Sequence, residues 1–229
     1  MRIRWFFVSV ALVLLTVAGC GVNKSFRIDD GTTRSNGIMT VNGSIRIGSD
    51  CSIGGDCTTV NGRISIGDRT KVEGLQTVNG RIEIGEGCEI AGDVDTVNGR
   101  ISCGPGSRIS GDAGAVNGSI SLVGARVEHD VTTSNGDVDL VKGAFVGGDV
   151  LISGGSSSDS TIEVRIADDS IVAGDVRIKG HRKARVILSN GGEVQGAIHG
   201  AEIVREEGSA ETDEVPVIEE GEDGDEEEG

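Results

Sequence analysis

Apolar positions along this chain fall in short alternating runs and not in helical stripes. The tetrapeptide Thr-Val-Asn-Gly begins at Thr40, Thr59, Thr77 and Thr96, and survives in altered form at Ala115 and Thr133. Its asparagines, Asn42, Asn61, Asn79, Asn98, Asn117 and Asn135, follow one another at intervals of 19, 18, 19, 19 and 18 residues. Three residues after each Asn stand Ile45, Ile64, Ile82, Ile101, Ile120 and Val138; five after stand Ile47, Ile66, Ile84, Cys103, Leu122 and Leu140. Between them lie Arg46, Ser65, Glu83, Ser102, Ser121 and Asp139, so each unit holds a strand with one buried face. A second apolar column precedes Asn by four (Ile38, Cys57, Leu75, Val94, Ala113, Val131), and a third follows it by eleven (Ile53, Val72, Ile90, Ile109, Val146). Three short strands per 18–19 residues predict an all-β fold: a three-sided parallel β-helix, or β-solenoid. The crossover rule makes it right-handed.

The same pattern continues behind insertions. Ile166–Gly174 matches Ile66–Gly74, and Leu188–Gly196 matches Ile84–Gly92, which leaves Ser156–Ser160 and His181–Lys183 as corner loops. The predicted organisation is a signal peptide over 1–19, a linker over 20–35, a solenoid of about eight coils over 36–205, and a tail over 206–229.

Composition fits a thin rod. Glycine contributes 38 of 229 residues and proline 2; tyrosine is absent, and beyond residue 7 only Phe26 and Phe145 are aromatic. A narrow interior has room for small aliphatics but little for rings, and tight corners favour Asn and Gly, which tolerate positive φ. Stacked Asn side chains can also hydrogen-bond along the rod. Collagen is excluded by the missing Gly-X-Y period. Base-stacking nucleic-acid surfaces and aromatic sugar platforms lack the rings they need. The net charge of −16 also opposes nucleic acid, although 13 acids and no bases lie in residues 206–229, leaving −3 for the rest. Such a tail self-repels and is expected to be disordered.

Candidate chemistry is sparse. Cys57 and Cys103 fall in core columns, where Cys acts as a small hydrophobe. Cys51 and Cys88 share a column two coils apart, too far for a disulfide. Packing is the favoured role, a Cys51–Cys57 disulfide the alternative, and no metal site or cofactor is expected. Two residues after Asn, Arg63, Arg81 and Arg100 stack on adjacent coils. Glu83 can neutralise them; the sharper expectation is an anion-binding stripe for lipid phosphates.

The N-terminus carries Arg2 and Arg4, an apolar run from Trp5 to Val17, and then Val17-Ala18-Gly19-Cys20. The run is too short to span a bilayer and suits a secretory signal. Its end resembles the lipobox of bacterial lipoproteins. That resemblance implies a diacylglyceryl group on the Cys20 sulfur, cleavage before Cys20 and acylation of the new amine. Gly21, in place of Asp, then implies the outer membrane of the cell envelope. The TVNGxIxIG units resemble adhesin-type glycine-rich β-strand repeats, and Ile84–Val94 resembles bactofilins, the polymer-forming bacterial scaffolds. Both resemblances imply a parallel solenoid without catalysis. Ile47-Gly-Ser-Asp-Cys-Ser also resembles the hexapeptide unit of left-handed β-helix acyltransferases, whose general base would be His129, His181 or His199 here. None of the three has a carboxylate at a readable spacing. The expected role is that of a non-catalytic envelope lipoprotein, held to the membrane by its lipid, whose solenoid is a structural or adhesin-like binding surface. A self-assembling, bactofilin-like scaffold is the alternative.

Overall fold

The computed structural model describes residues 23–154, 161–180 and 183–206. The signal peptide, Cys20, Ser156–Ser160, His181 and the tail past Glu206 lie outside the described residues.

Alternation in Ile45-Arg46-Ile47 turns both isoleucines inward and the arginine out. The pattern repeats in every coil and builds three parallel sheets of ten, nine and nine strands. Face 1 runs from Phe26–Ile28 to Glu202–Glu206, face 2 from Thr33–Arg34 to Glu193–Val194, and face 3 from Ile38–Thr40 to Ile198–His199. The chain visits faces 1, 2 and 3 in turn through nine coils and ends on one more strand of face 1. At ~4.8 Å per coil the rod is about 40 Å long.

The core is a set of one-residue-wide columns. Ile45, Ile64, Ile82, Ile101 and Ile120 stack in register on face 1, each 0% exposed. Fully burying one such side chain contributes about 2–3 kcal/mol. The matches continue into the later coils: Ile166 pairs with Leu188, and Val172 with Val194. Units of 18 residues lose their residue at a corner, so the faces stay in register. Val127 pairs with Ile109 and Val146, although it follows Asn117 by ten residues and not eleven. The face 3 column likewise stays continuous from Cys57 to Leu75 across the shortened corner at Gly74.

Two expectations need correction. Residues 20–35 are not all linker: Phe26–Ile28 pairs with Ile45–Ile47, and Thr33–Arg34 with Ser52–Ile53, so a further coil precedes Ile38. The physical reason is that Phe26 and Ile28 supply the inward side chains of that coil's face 1. Positive φ is also not what the Asn-Gly corners require. It occurs at the corner between faces 1 and 2, at Asp50 (58°), Arg69 (53°), Gly87 (63°) and Gly106 (68°), and at Gly180 and Gly200 in the last coils, where the corner has no Asn-Gly. In the Asn-Gly corner glycine answers to close approach: a Cβ on Gly118 would lie 1.6 Å from the carbonyl oxygen of Gly99.

Cys51, Cys57, Cys88 and Cys103 are all free and buried, so the alternative of a Cys51–Cys57 bridge is not realised. Burial pushes the Cys57 and Cys103 thiols up to about 12, which keeps them protonated and poorly nucleophilic. Cys51 and Cys88 line the corner between faces 1 and 2 and alternate with Thr70 and Ser107. The Thr70 hydroxyl donates to Gly48 O at 2.8 Å and Ser107 to Gly85 O at 2.6 Å. The two thiols point at the carbonyls of Asp29 and Gly67, at 3.2 and 3.1 Å, as weak donors of the same kind.

Candidate functional site

The corner between faces 3 and 1 carries the predicted asparagine column. Asn42, Asn61, Asn79, Asn98, Asn117 and Asn135 each donate from Nδ2 to the Oδ1 of the Asn one coil earlier, at 2.6–3.0 Å. The first acceptor is Asn23, inside the segment expected to be linker. Its signal was present: Asn23 precedes Asn42 by 19 residues.

Beside this ladder runs a second one that periodicity alone did not identify. Thr40, Thr59, Thr77, Thr96 and Thr133 occupy an inward column on face 3, each at most 4% exposed. Each hydroxyl donates to the corner carbonyl of the preceding coil, for example Thr59 to Gly43 O at 2.8 Å and Thr96 to Gly80 O at 3.1 Å. Both ladders direct polar corner groups at the rod itself. Ala115 is the break in the threonine column, between Thr96 and Thr133. Ala115→Thr is therefore expected to stabilise the fold by about 1 kcal/mol, the usual net worth of such a bond. A urea midpoint that stays put or falls would sink this account of the column.

The arginine stripe is largely matched. Arg63 and Arg81 share Glu83 at 3.9 and 3.5 Å, and Arg100 donates to Ser119 Oγ at 2.9 Å. The other faces show similar matching. Lys71 meets Glu89 at 2.7 Å on face 2, and Arg108 and Arg126 share Glu128 at 2.9 and 2.6 Å. The two arginines hold the Glu128 carboxyl below the usual carboxylate range, with the Arg126 hydrogen bond as the first cause.

Of the candidate histidines, the described residues include His129 and His199, which lie on different elements. His129 is exposed at the corner between faces 2 and 3, its Nδ1 2.8 Å from Ser110 O. His199 lies on the terminal face 3 strand. Among the described residues no group of three or more His, Cys, Asp or Glu side chains is placed to hold a metal ion.

A shallow groove lies on face 3, where the small residues Gly114 and Thr132 sit between Asp95 and Leu151. It encloses about 320 Å³, and its lining includes Asp93, Asp95, Asp112 and Asp130 as well as Arg177 and Lys179. The corner aspartates form a third ladder. The backbone N–H of Asp112, Asp130, Asp149 and Asp175 each donates to the preceding Asp Oδ1 at 2.8–3.0 Å. Asp175 accepts the Ala197 N–H and is ion-paired with Arg177; these two contacts hold its carboxyl below the usual range. Asp95 has no such donors. Burial, with Asp93 and Asp112 beside it, pushes its carboxyl up to about 8.

No protein-family model, curated protein or solved structure matches the chain.

Proposed function

We propose that the chain is a lipid-anchored protein of the bacterial cell envelope, placed at the outer membrane, whose solenoid is a non-catalytic structural or adhesin-like binding surface. The observation that carries this reading is the position of the first coil. Phe26 already stacks on Ile45 and stands only six residues after Cys20, so a lipid on Cys20 would seat the rod directly on the membrane. Two or three acyl chains, at ~0.8 kcal/mol per buried methylene, would make that attachment effectively permanent. The matched charges and inward-directed corner ladders suit a rigid, soluble rod.

The bactofilin-like alternative draws on the two open ends, where Phe26–Ile28 and Glu202–Glu206 each have a partner strand on one side only. An unpaired edge is a template for another chain. Arg205 counts against simple end-on stacking, because it occupies the register position of Leu188 and Ile166 in a core column.

Two observations on the full chain test the reading. Wild type should incorporate a palmitate analogue and fractionate with membranes, while Cys20→Ala loses the label and enters the soluble fraction. Membrane fractionation of Cys20→Ala together with an unlabelled wild type would defeat it. Filaments of the purified protein under the electron microscope would favour the scaffold, isolated short rods the binding surface.

A further inference from the structure

Arginine and serine interleave at the start of face 1 in a way that recurs nowhere else on the rod. Two residues after each Asn the first three coils carry Ser25, Ser44 and Arg63; four residues after, they carry Arg27, Arg46 and Ser65. The short serines leave a hollow of about 300 Å³ between the long side chains, and all six residues line it. Arg27 and Arg46 are directly paired in the parallel register, so their guanidinium groups project from adjacent coils. At ~4.8 Å between coils, two like charges repel unless an anion lies between them.

Elsewhere such stacks are relieved by carboxylates, as Glu83 and Glu128 show. Here no acid lines the hollow. Among the described residues neither Arg27 nor Arg46 forms an ion pair, and Arg63 reaches only the far edge of Glu83 at 3.9 Å. The acids nearest in sequence, Asp29 and Asp30, lie at the next corner, where Asp30 Oδ1 already accepts the Ser49 N–H at 2.8 Å. Ser25 Oγ accepts the Ser44 N–H at 3.1 Å, so its own proton is a further donor. The hollow thus combines three guanidinium groups with serine hydroxyls, a donor set that matches a tetrahedral oxyanion.

We propose that Arg27, Arg46 and Arg63, with Ser25, Ser44 and Ser65, form a binding site for the phosphate group of an anionic ligand. Two sources share that chemistry: a phospholipid headgroup and a soluble phosphate. The lipid source rests on the anchor reading above, because Arg27 stands seven residues after Cys20 and the hollow would face the headgroup layer. Phe26, half-buried in the end layer with the Lys24 ammonium 5.3 Å over its ring, borders the hollow and adds an apolar contact next to the cations.

The test uses the full chain in neutral detergent and, separately, with vesicles. Inorganic phosphate is titrated while the arginine Nε resonances are followed. Vesicle partition is measured for phosphatidylcholine alone and with an equal share of phosphatidylglycerol, at ~0.1 M salt. The variants are Arg27→Ser/Arg46→Ser/Arg63→Ser and, as the control on the same face, Arg81→Ser/Arg100→Ser. Phosphate should shift the Arg27, Arg46 and Arg63 signals and leave Arg81 and Arg100 in place. Phosphatidylglycerol should strengthen partition of wild type and control, and the triple variant should lose roughly a hundredfold of that gain. A phosphate response without a phosphatidylglycerol gain supports the site and assigns it a soluble ligand. The reverse pattern, with the gain lost in the triple variant, supports it as a lipid site. Equal phosphate shifts at all five arginines, or no shift together with an unchanged gain in the triple variant, overturns it. Binding to phosphatidylcholine alone reports the anchor separately, so failure of that reading remains distinguishable.

Discussion

Gly118→Ala should destabilise the protein by about 3 kcal/mol or more, a large fraction of the stability of an ordinary domain. The added Cβ would sit 1.6 Å from Gly99 O, 2.6 Å from Gly99 C and 3.2 Å from Gly99 N. All three are backbone atoms, so no side chain can rotate away, and the coils must separate instead. Separation would strain the Asn117–Asn98 hydrogen bond and the Thr133–Gly118 bond at the same corner. In a stacked fold each coil is held mainly by its two neighbours, so damage at mid-rod weakens both interfaces. Gly143→Ala is the matched control: its φ of 75° is left-handed, but its Cβ would meet nothing within 4 Å. That variant should lose only about 1 kcal/mol, the usual left-handed penalty. Urea unfolding followed by circular dichroism separates the two, and equal losses would refute close approach as the reason for the Asn-Gly glycines.

Raising the pH through the neutral range should also weaken the fold, and Asp95→Asn should remove much of that loss. Asp95 projects over Gly114, whose absent side chain makes room for the carboxylate, and no described residue donates a hydrogen bond to it. Its carboxyl titrates near 4 when unfolded and at about 8 in the fold. Between those values the folded state binds the extra proton. Stability is therefore fully present below the unfolded value and falls as pH rises through the folded one. Asp95 is only half-buried, which reduces the loss to about 2 kcal/mol. Asp93 and Asp112 face the same groove and reinforce the trend. Unfolding midpoints from pH 4 to pH 9 for wild type and Asp95→Asn provide the check. Parallel curves would mean that Asp95 remains ionised in the folded state.

The solenoid was legible because its period is written in residue types that only one geometry uses together. Isoleucine two residues apart, with Arg46 or Ser65 between, can only be a half-buried strand, and its return every 18–19 residues can only be a stack. The first coil was hidden because Lys24 stands where later units have Gly, and Phe26 where they have Ile. An end layer tolerates both, since one side of it has no neighbour to collide with. Thr40 and its successors stand in the sequence only as the first residue of the repeated tetrapeptide. Their burial makes sense only once the carbonyl of the preceding coil is located, and spacing along the chain does not contain that distance. The arginines at 63, 81 and 100 were conspicuous as a column. The cluster at Arg27, Arg46 and Arg63 lies across two columns and three coils, so it emerges only when the sheet is laid flat.

The corner ladders have a consequence for the size of the molecule. From Asn23 to Asn135 each coil donates and accepts through an asparagine in the same place, and 18-residue units fit among 19-residue units because their differences fall at corners. Such a structure can gain or lose whole turns while keeping its coil-to-coil contacts, so its length is counted in steps of ~4.8 Å. The length of the rod is thus set by the number of its repeats.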